Sequence, residues 1–240
     1  YHLIFIVKIK NNMRVCILGS GLSSLTLAKS LVNQKIYVDV FFSKKLKSVN
    51  KTRTIGISKS NVEFFNEKII NINKIIWKLN KIKIYSDNLE KQKLINFGNN
   101  NDYLFSIVKN YKLQKILETN LFKNKYFSKI NYKKKINYFK DYDLVFNTDY
   151  KHSITKKYFS KKIEKKYNSV AYTTILKHEK ISNNVAVQIF TKNGPLAFLP
   201  ISDYETSIVY SINNHLKGEK EVNNLINTYN SKYTLKKINK

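Results

Sequence analysis

Gly19-Ser20-Gly21, set directly behind the apolar run Val15-Cys16-Ile17-Leu18, is the pattern in this chain with the clearest chemical meaning. A pyrophosphate needs backbone donors at close range and a positive field. A first glycine permits the tight turn, a second lets backbone approach the phosphates, and the N–H groups that open the following helix face their charge. A helical pattern through Leu25, Leu27, Ala28 and Leu31 does follow, and a second strand, Tyr37 to Phe42, comes at the distance a βαβ unit requires. Gly19, Gly21 and the N–H groups of Leu22 and Ser23 are therefore candidate pyrophosphate ligands. The usual third glycine is Ser24, so an ordinary strand-to-helix turn that uses two glycines is the competing reading.

Other chemistries find less support. His2, His152, His178 and His215 lie far apart without metal-ligand spacing. One cysteine excludes an internal disulfide and suits a reducing compartment, and Cys16, inside the first strand, is expected to be buried rather than reactive. No Ser/His/Asp set or paired-carboxylate site stands out. The formal charge of +28 invites a nucleic-acid reading. However, Lys, Asn, Ile and Tyr are abundant from end to end, which fits a coding bias toward AT-rich codons better than a selected patch, and no nucleic-acid partner is expected. The runs Lys133-Lys134-Lys135, Lys156-Lys157 and Lys161-Lys162 are read as solvated faces, with attraction to phosphate or anionic lipid as the alternative.

The elements that must position these groups follow in order. Lys51 to Ser58 is a short extended segment in which Arg53 stands among lysines, and Ser60 is the expected cap of a helix through Val62, Phe64 and Phe65. Ile75-Ile76-Trp77 with Ile82 to Tyr85 is read as a strand that leaves the nucleotide fold, paired with Leu94 to Phe97 across Asp87-Asn88. Residues 111–122 return to helical period, 123–140 carry the least pattern, and Tyr142 to Asp149 is read as a buried strand ending in an acid. From Asn168 the chain turns β-rich. Strands are expected at 169–176, 184–191, 196–200 and 207–212 as an antiparallel series, then a helix over about 219–230 and a polar, helix-like end. The 240 residues and 42% apolar content suffice for one large domain or two small ones. No apolar run approaches the ~20 residues of a membrane span, and the opening Tyr1 to Val7 is too short for a typical signal peptide.

Four segments in this order resemble the flavin-dependent aromatic hydroxylases of ubiquinone biosynthesis, of the UbiH/UbiF type. They are the Gly19-Ser20-Gly21 turn; Thr52-Arg53-Thr54-Ile55-Gly56-Ile57-Ser58, similar to an Arg-x-x-Ala-Leu-Ser segment; Asp143 to Ser153, similar to a strand followed by Gly-Ala-Asp-Gly-x-x-Ser; and Ala186-Val187-Gln188-Ile189-Phe190-Thr191 to Asn193-Gly194-Pro195-Leu196-Ala197-Phe198-Leu199-Pro200, similar to Phe-Thr-x-x-Gly-Pro-Leu-Ala-Leu-Leu-Pro. Trp77 and residues 103–117 also fit the spacing. The resemblance implies an α/β fold in which a Rossmann-like FAD-binding domain is interleaved with an antiparallel β-sheet substrate domain. The expected parts are 13–72 (FAD-binding), 73–100 (substrate-domain insertion), 101–160 (FAD-binding), 165–215 (substrate sheet) and 216–240 (the start of a helical segment). It further implies that Arg53 and Asp149 meet the cofactor, that FAD and an NAD(P)H electron donor serve hydroxylation by O₂, and that the substrate is a polyprenylated phenol. Peripheral contact with the inner face of the membrane and a place in a ubiquinone-synthesis assembly would follow, in an otherwise cytoplasmic protein.

The departures from this pattern are specific. The acid that normally ends the second strand falls at Phe42, with Ser43 beside it; the glycine after Asp149 is Tyr150; and the arginine expected before the helix at 112 is Tyr111. The stretch from 118 to 142 is short for the β-meander expected there. Met13 is the only methionine and the family's C-terminal Gly-Asp motif is not found, so the expectation is a fragment of a working enzyme or a decayed paralogue acting as a scaffold.

Overall fold

The computed structural model describes residues 12–42, 50–87, 93–98, 102–131, 138–158, 163–213 and 218–239. The opening run from Tyr1, His2, Ser43, Asn88, the lysines at 133–135 and 161–162, and His215 lie outside the described residues. The chain forms two compact units. The first takes its described residues from Tyr1–Val49, Glu67–Ile70 and Leu113–Lys162, the second from Asn50–Asn66, Asn71–Lys112 and Ile163–Lys240.

In the first unit, β1 (Arg14–Leu18), β2 (Tyr37–Phe42), β8 (Phe127–Asn131) and β9 (Leu144–Asn147) form a parallel sheet in the order β8-β2-β1-β9. Val15 through Leu18 and Val38 through Phe42 are nearly all apolar and buried, the run expected where a parallel strand is covered on both faces. Helix α1 (Leu22–Asn33) returns from β1 to β2 and buries Ser24, Leu25, Ala28 and Val32, a stripe at near-helical spacing. Leu27 and Leu31, expected on that face, are only half-buried. One stretch of little pattern holds a strand, and one further expectation is corrected. The 123–140 stretch supplies β8, whose pairing with β2 comes from tertiary contact where Lys and Asn hide the local pattern. The 142–149 strand is not buried, because β9 pairs only with β1 among the described residues and leaves Leu144 and Phe146 exposed.

The second unit holds a seven-stranded sheet in the order β14-β10-β13-β12-β11-β5-β6 and a three-stranded sheet in the order β3-β7-β4. The large sheet consists of β5 (Lys81–Ser86), β6 (Lys93–Gly98), β10 (Ser169–His178), β11 (Val185–Thr191), β12 (Gly194–Pro200), β13 (Glu205–Asn213) and β14 (Leu235–Asn239). The small one consists of β3 (Thr54–Ser58), β4 (Ile76–Leu79) and β7 (Phe105–Lys109). The β-rich series and the β5–β6 pairing stand as expected. Residues 75–85, however, are two strands in two sheets: β4 pairs with β7, and β5, past Asn80, runs parallel to β11. The polar end past the last helix is likewise a strand, β14, paired antiparallel with β10.

Helix α5 (Glu219–Tyr229) covers one face of the large sheet, where Val222, Ile226 and Tyr233 pack on Leu176, Leu196, Phe198, Ile208, Tyr210 and Ile212. Each such side chain contributes about 1.5–3 kcal/mol by leaving water. Within this unit Thr54 Oγ1 and Ser207 Oγ lie 2.9 Å apart, Thr52 and Thr173 hydroxyls 3.0 Å, and Lys109 donates to Glu205 at 2.7 Å. The remaining helices are α2 (Lys59–Phe64), continued by a π-type turn over Phe65–Ile69, α3 (Asn110–Leu121) and the short α4 (Ser153–Tyr158). Ser58, not Ser60, caps α2: its hydroxyl accepts from the Asn61 N–H at 3.2 Å, since the strand residue just before the helix has the extended backbone a cap needs.

Candidate nucleotide site

The parallel order places the carboxyl end of β1 between β2 and β9, the point at which the chain's connections leave the sheet in opposite directions. Open α/β sheets bind ligands there. Gly19 follows β1 with φ +120°, a conformation essentially closed to other residues. A Cβ at Gly19 would also collide with Thr148 Oγ1. Gly21 serves a different need. Its backbone is extended, φ −80° and ψ 178°, it caps α1 without a side chain, and nothing lies within 4 Å of where its Cβ would be. The open space beside it is what a phosphate would use.

The first intrahelical bond of α1 runs from Leu25 N–H to Gly21 O at 3.1 Å, which leaves the N–H groups of Leu22, Ser23 and Ser24 ahead of the ladder. Ser24, where a third glycine was expected, is fully buried. Thr148 Oγ1 donates to Leu18 O at 2.9 Å, so its one proton is used and Ser24 Oγ must be the donor in their 2.6 Å hydrogen bond. A hydroxyl relay thus ties α1 to the ends of β1 and β9. The motif pointed to Ser24 as a departure but could not show its partner, which lies 124 residues away.

A cavity of about 560 Å³ opens at this point, lined by residues 18–21, Phe41 and residues 148–153. Gly19, Gly21 and Asp149 are brought together there, with Leu22 and Ser23 at the adjoining helix start. Asp149 turns its carboxylate onto its own loop, with Oδ1 accepting from Lys151 N–H at 3.0 Å. Tyr150 is 70% exposed, so its side chain leaves the tight turn toward solvent, with the Lys151 ammonium 5.5 Å from its ring centroid. Lys151 and His152 also line the cavity; the sequence patterns had not singled them out as ligands.

Nothing acidic stands at the end of β2: Phe42 is buried. The strand's one carboxylate, Asp39, is buried mid-strand, where it accepts from Arg14 at 2.9 Å and from the Tyr142 hydroxyl at 2.6 Å. Burial, and then the Asp39 hydrogen bond, hold the Tyr142 hydroxyl well above its ordinary value. Burial, then the Asp39 charge, pushes the Cys16 thiol up to about 12. Asp39 is therefore occupied in the sheet's own network. Arg53 belongs to the second unit, exposed just before β3, where its carbonyl accepts from Asn110 N–H at 3.0 Å. Tyr111 stands in the first turn of α3. Among the described residues no three His, Cys, Asp or Glu side chains gather as a metal site, and no helix is long and apolar enough to cross a membrane.

No protein-family model and no curated protein sequence matches the chain. Solved structures do. It is similar to PqsL from Pseudomonas aeruginosa, described as a probable FAD-dependent monooxygenase, with TM-score 0.65 and 12% identity over 90% of this chain and 64% of that one. It is similar to Klebsiella pneumoniae HpxO, solved with FAD and uric acid, with TM-score 0.65 and 10% identity over 92% and 62%. A third is 2,6-dihydroxypyridine-3-hydroxylase from Arthrobacter nicotinovorans, with TM-score 0.61 and 15% identity over 87% and 58%. The chain thus spans less than two-thirds of the length of each of these structures, and across that span its fold is that of the FAD-dependent aromatic hydroxylases.

Proposed function

We propose that this chain binds FAD and belongs to an FAD-dependent monooxygenase that hydroxylates an aromatic ring. The observation that carries the reading is the Gly19–Gly21 turn: a positive-φ glycine and an unobstructed second glycine at a helix start, opening on a cavity at the carboxyl end of a parallel strand. These residues fit a pyrophosphate. Leu22 and Ser23 N–H groups would donate to it, the α1 dipole would favour its charge, and Lys151 would add a cation at the rim. Asp149, by ordering the 147–151 turn, would hold that rim in place. The residues do not supply a carboxylate for the adenosine ribose at the end of β2, so recognition at that end would rest on other groups. Arg53 would be a second cationic contact for the cofactor. The bound, reduced flavin would supply O₂ activation and oxygen transfer to the ring, while the protein orients the ring and excludes water.

The finer reading is that the ring is that of a polyprenylated ubiquinone precursor, with NAD(P)H as electron donor. Support comes from the 186–200 segment, which forms most of β11, the 192–193 turn and β12. A prenyl tail would bring the protein to a membrane surface, where dispersed lysines favour anionic lipid. The alternative, a non-catalytic scaffold in a ubiquinone-synthesis assembly, is favoured by Phe42. Fluorescence titration of the purified protein with FAD decides between them. Saturable FAD binding that weakens tenfold or more in Gly21→Ala supports the enzyme reading. A folded protein indifferent to FAD overturns it and leaves the scaffold.

A further inference from the structure

A second cavity, about 470 Å³, lies within the second unit on the α5-covered face of the large sheet. The nucleotide reading does not use it. Its floor follows from register. β5 runs parallel to β11, with Lys83 beside Val187 and Tyr85 beside Ile189, so these four side chains share one face. Phe198 of β12 continues that floor, and residues 228–233, at and after the end of α5, form the wall. The lining is therefore mostly branched aliphatic and aromatic, with two lysines, Lys83 and Lys232, and no acidic side chain.

The wall is rigid. Tyr233 stacks on Phe198 with centroids 6.0 Å apart and donates its hydroxyl to Asn183 Oδ1 at 3.2 Å. Buried Asn183 is in turn fastened to Ser202 O and Thr206 Oγ1, at 2.9 and 3.0 Å. Tyr229 donates to Asp87 at 2.7 Å. Neither lysine has an acidic partner among the described residues; Lys232 donates to the neutral Asn183 Oδ1 at 3.3 Å and lies 5.2 Å from the Tyr233 ring centroid. Burial and then the nearby Lys83 charge lower the Lys232 pKa. Lys83 and Lys232 therefore bring positive charge to a lining that holds no carboxylate, where an anion would complement them.

We propose that this cavity is a binding site for an aromatic carboxylate, its ring against Val187, Ile189, Phe198 and Tyr233 and its carboxylate between Lys83 and Lys232. The volume falls in the range of small-molecule sites. Two lysines without a carboxylate partner among the described residues, lining the same cavity as an aliphatic and aromatic floor, select a single negative charge attached to a flat apolar body. This site is separate from the candidate nucleotide site, which is built from residues of the first unit.

The test is calorimetric titration of the whole protein with 2-naphthoate and with the uncharged 2-naphthamide. Saturable 2-naphthoate binding, at least tenfold tighter than 2-naphthamide, is expected. The K83Q/K232Q protein should lose that preference while keeping its circular dichroism spectrum and melting temperature. V187W, which fills the floor, should abolish binding of both. The absence of saturable 2-naphthoate binding overturns the proposal. So does equal affinity for the acid and the amide, retention of the preference in K83Q/K232Q, or competition of 2-naphthoate by FAD, which would place it in the nucleotide site instead.

Discussion

At the residue scale, the two glycines of one motif answer to different demands, and substitution separates them. Gly19→Ala places a Cβ against Thr148 at φ +120°, and conformation alone should cost about 1–3 kcal/mol; urea denaturation should show the loss directly. Gly21→Ala adds a Cβ to open space in an extended backbone. Its melting temperature should stay near that of the parent while FAD affinity falls tenfold or more. Thr148→Val would strand the buried Ser24 hydroxyl, at a cost of about 1–3 kcal/mol, read by the same denaturation. Cys16 offers a pH test. Its folded pKa, about 12, lies above the ordinary 9.0, so the thiol's stabilising share is full below pH 9 and is lost as pH rises through 12, where the unfolded chain gives up its proton first. Native Cys16 should resist a thiol reagent that labels it at once in denaturant. Cys16→Ala should show a shallower fall in stability between pH 9 and 11 than the parent. The type and spacing of the glycines were legible in the chain because a tight turn leaves a local signature. The Ser24–Thr148–Leu18 relay was not, since nothing local marks residues that meet only when β9 pairs with β1.

At the element scale, most strands with alternating or continuous apolar residues could be read directly. Three were missed: β7, a short apolar run joined without a break to α3, merges with that helix's pattern, and the other two have a common cause. β8 and β14 are rich in Lys and Asn and lie at sheet edges, where one partner suffices and solvent tolerates polar side chains. Their identity comes from β2 and β10, not from their own composition. The division of 75–85 between two sheets has a similar origin: both halves are β-formers, and only the three-dimensional course past Asn80 separates them. Helix starts are more local, yet the cap of α2 was displaced by two residues because Ser58 and Ser60 are chemically alike and only backbone conformation chooses between them. Ser58→Ala should cost about 1 kcal/mol of stability, whereas Ser60→Ala, inside the helix, should be close to neutral; thermal melts of the two variants compare them.

At the scale of the whole molecule, the net charge of +28 acts without regard to fold. Self-repulsion of this size weakens a compact state and is screened by salt, so the melting temperature should rise by a few degrees between low and high sodium chloride. A flat or falling response would mean that the lysines are locally compensated. Each of the two units collects three stretches of chain. By itself, the sequence determined the βαβ start, the glycine turn, the β-rich second half and the excess positive charge, all of which arise from residues adjacent in the chain or from simple sums over it. Tertiary structure alone decided that Asp39 is occupied by Arg14 and Tyr142, that Tyr150 faces solvent, and that Lys83 and Lys232 converge on one apolar cavity. Those outcomes depend on register and on contacts between separate elements, 25 residues apart for Arg14 with Asp39 and 103 for Tyr142 with Asp39, and no short-range pattern encodes such pairings.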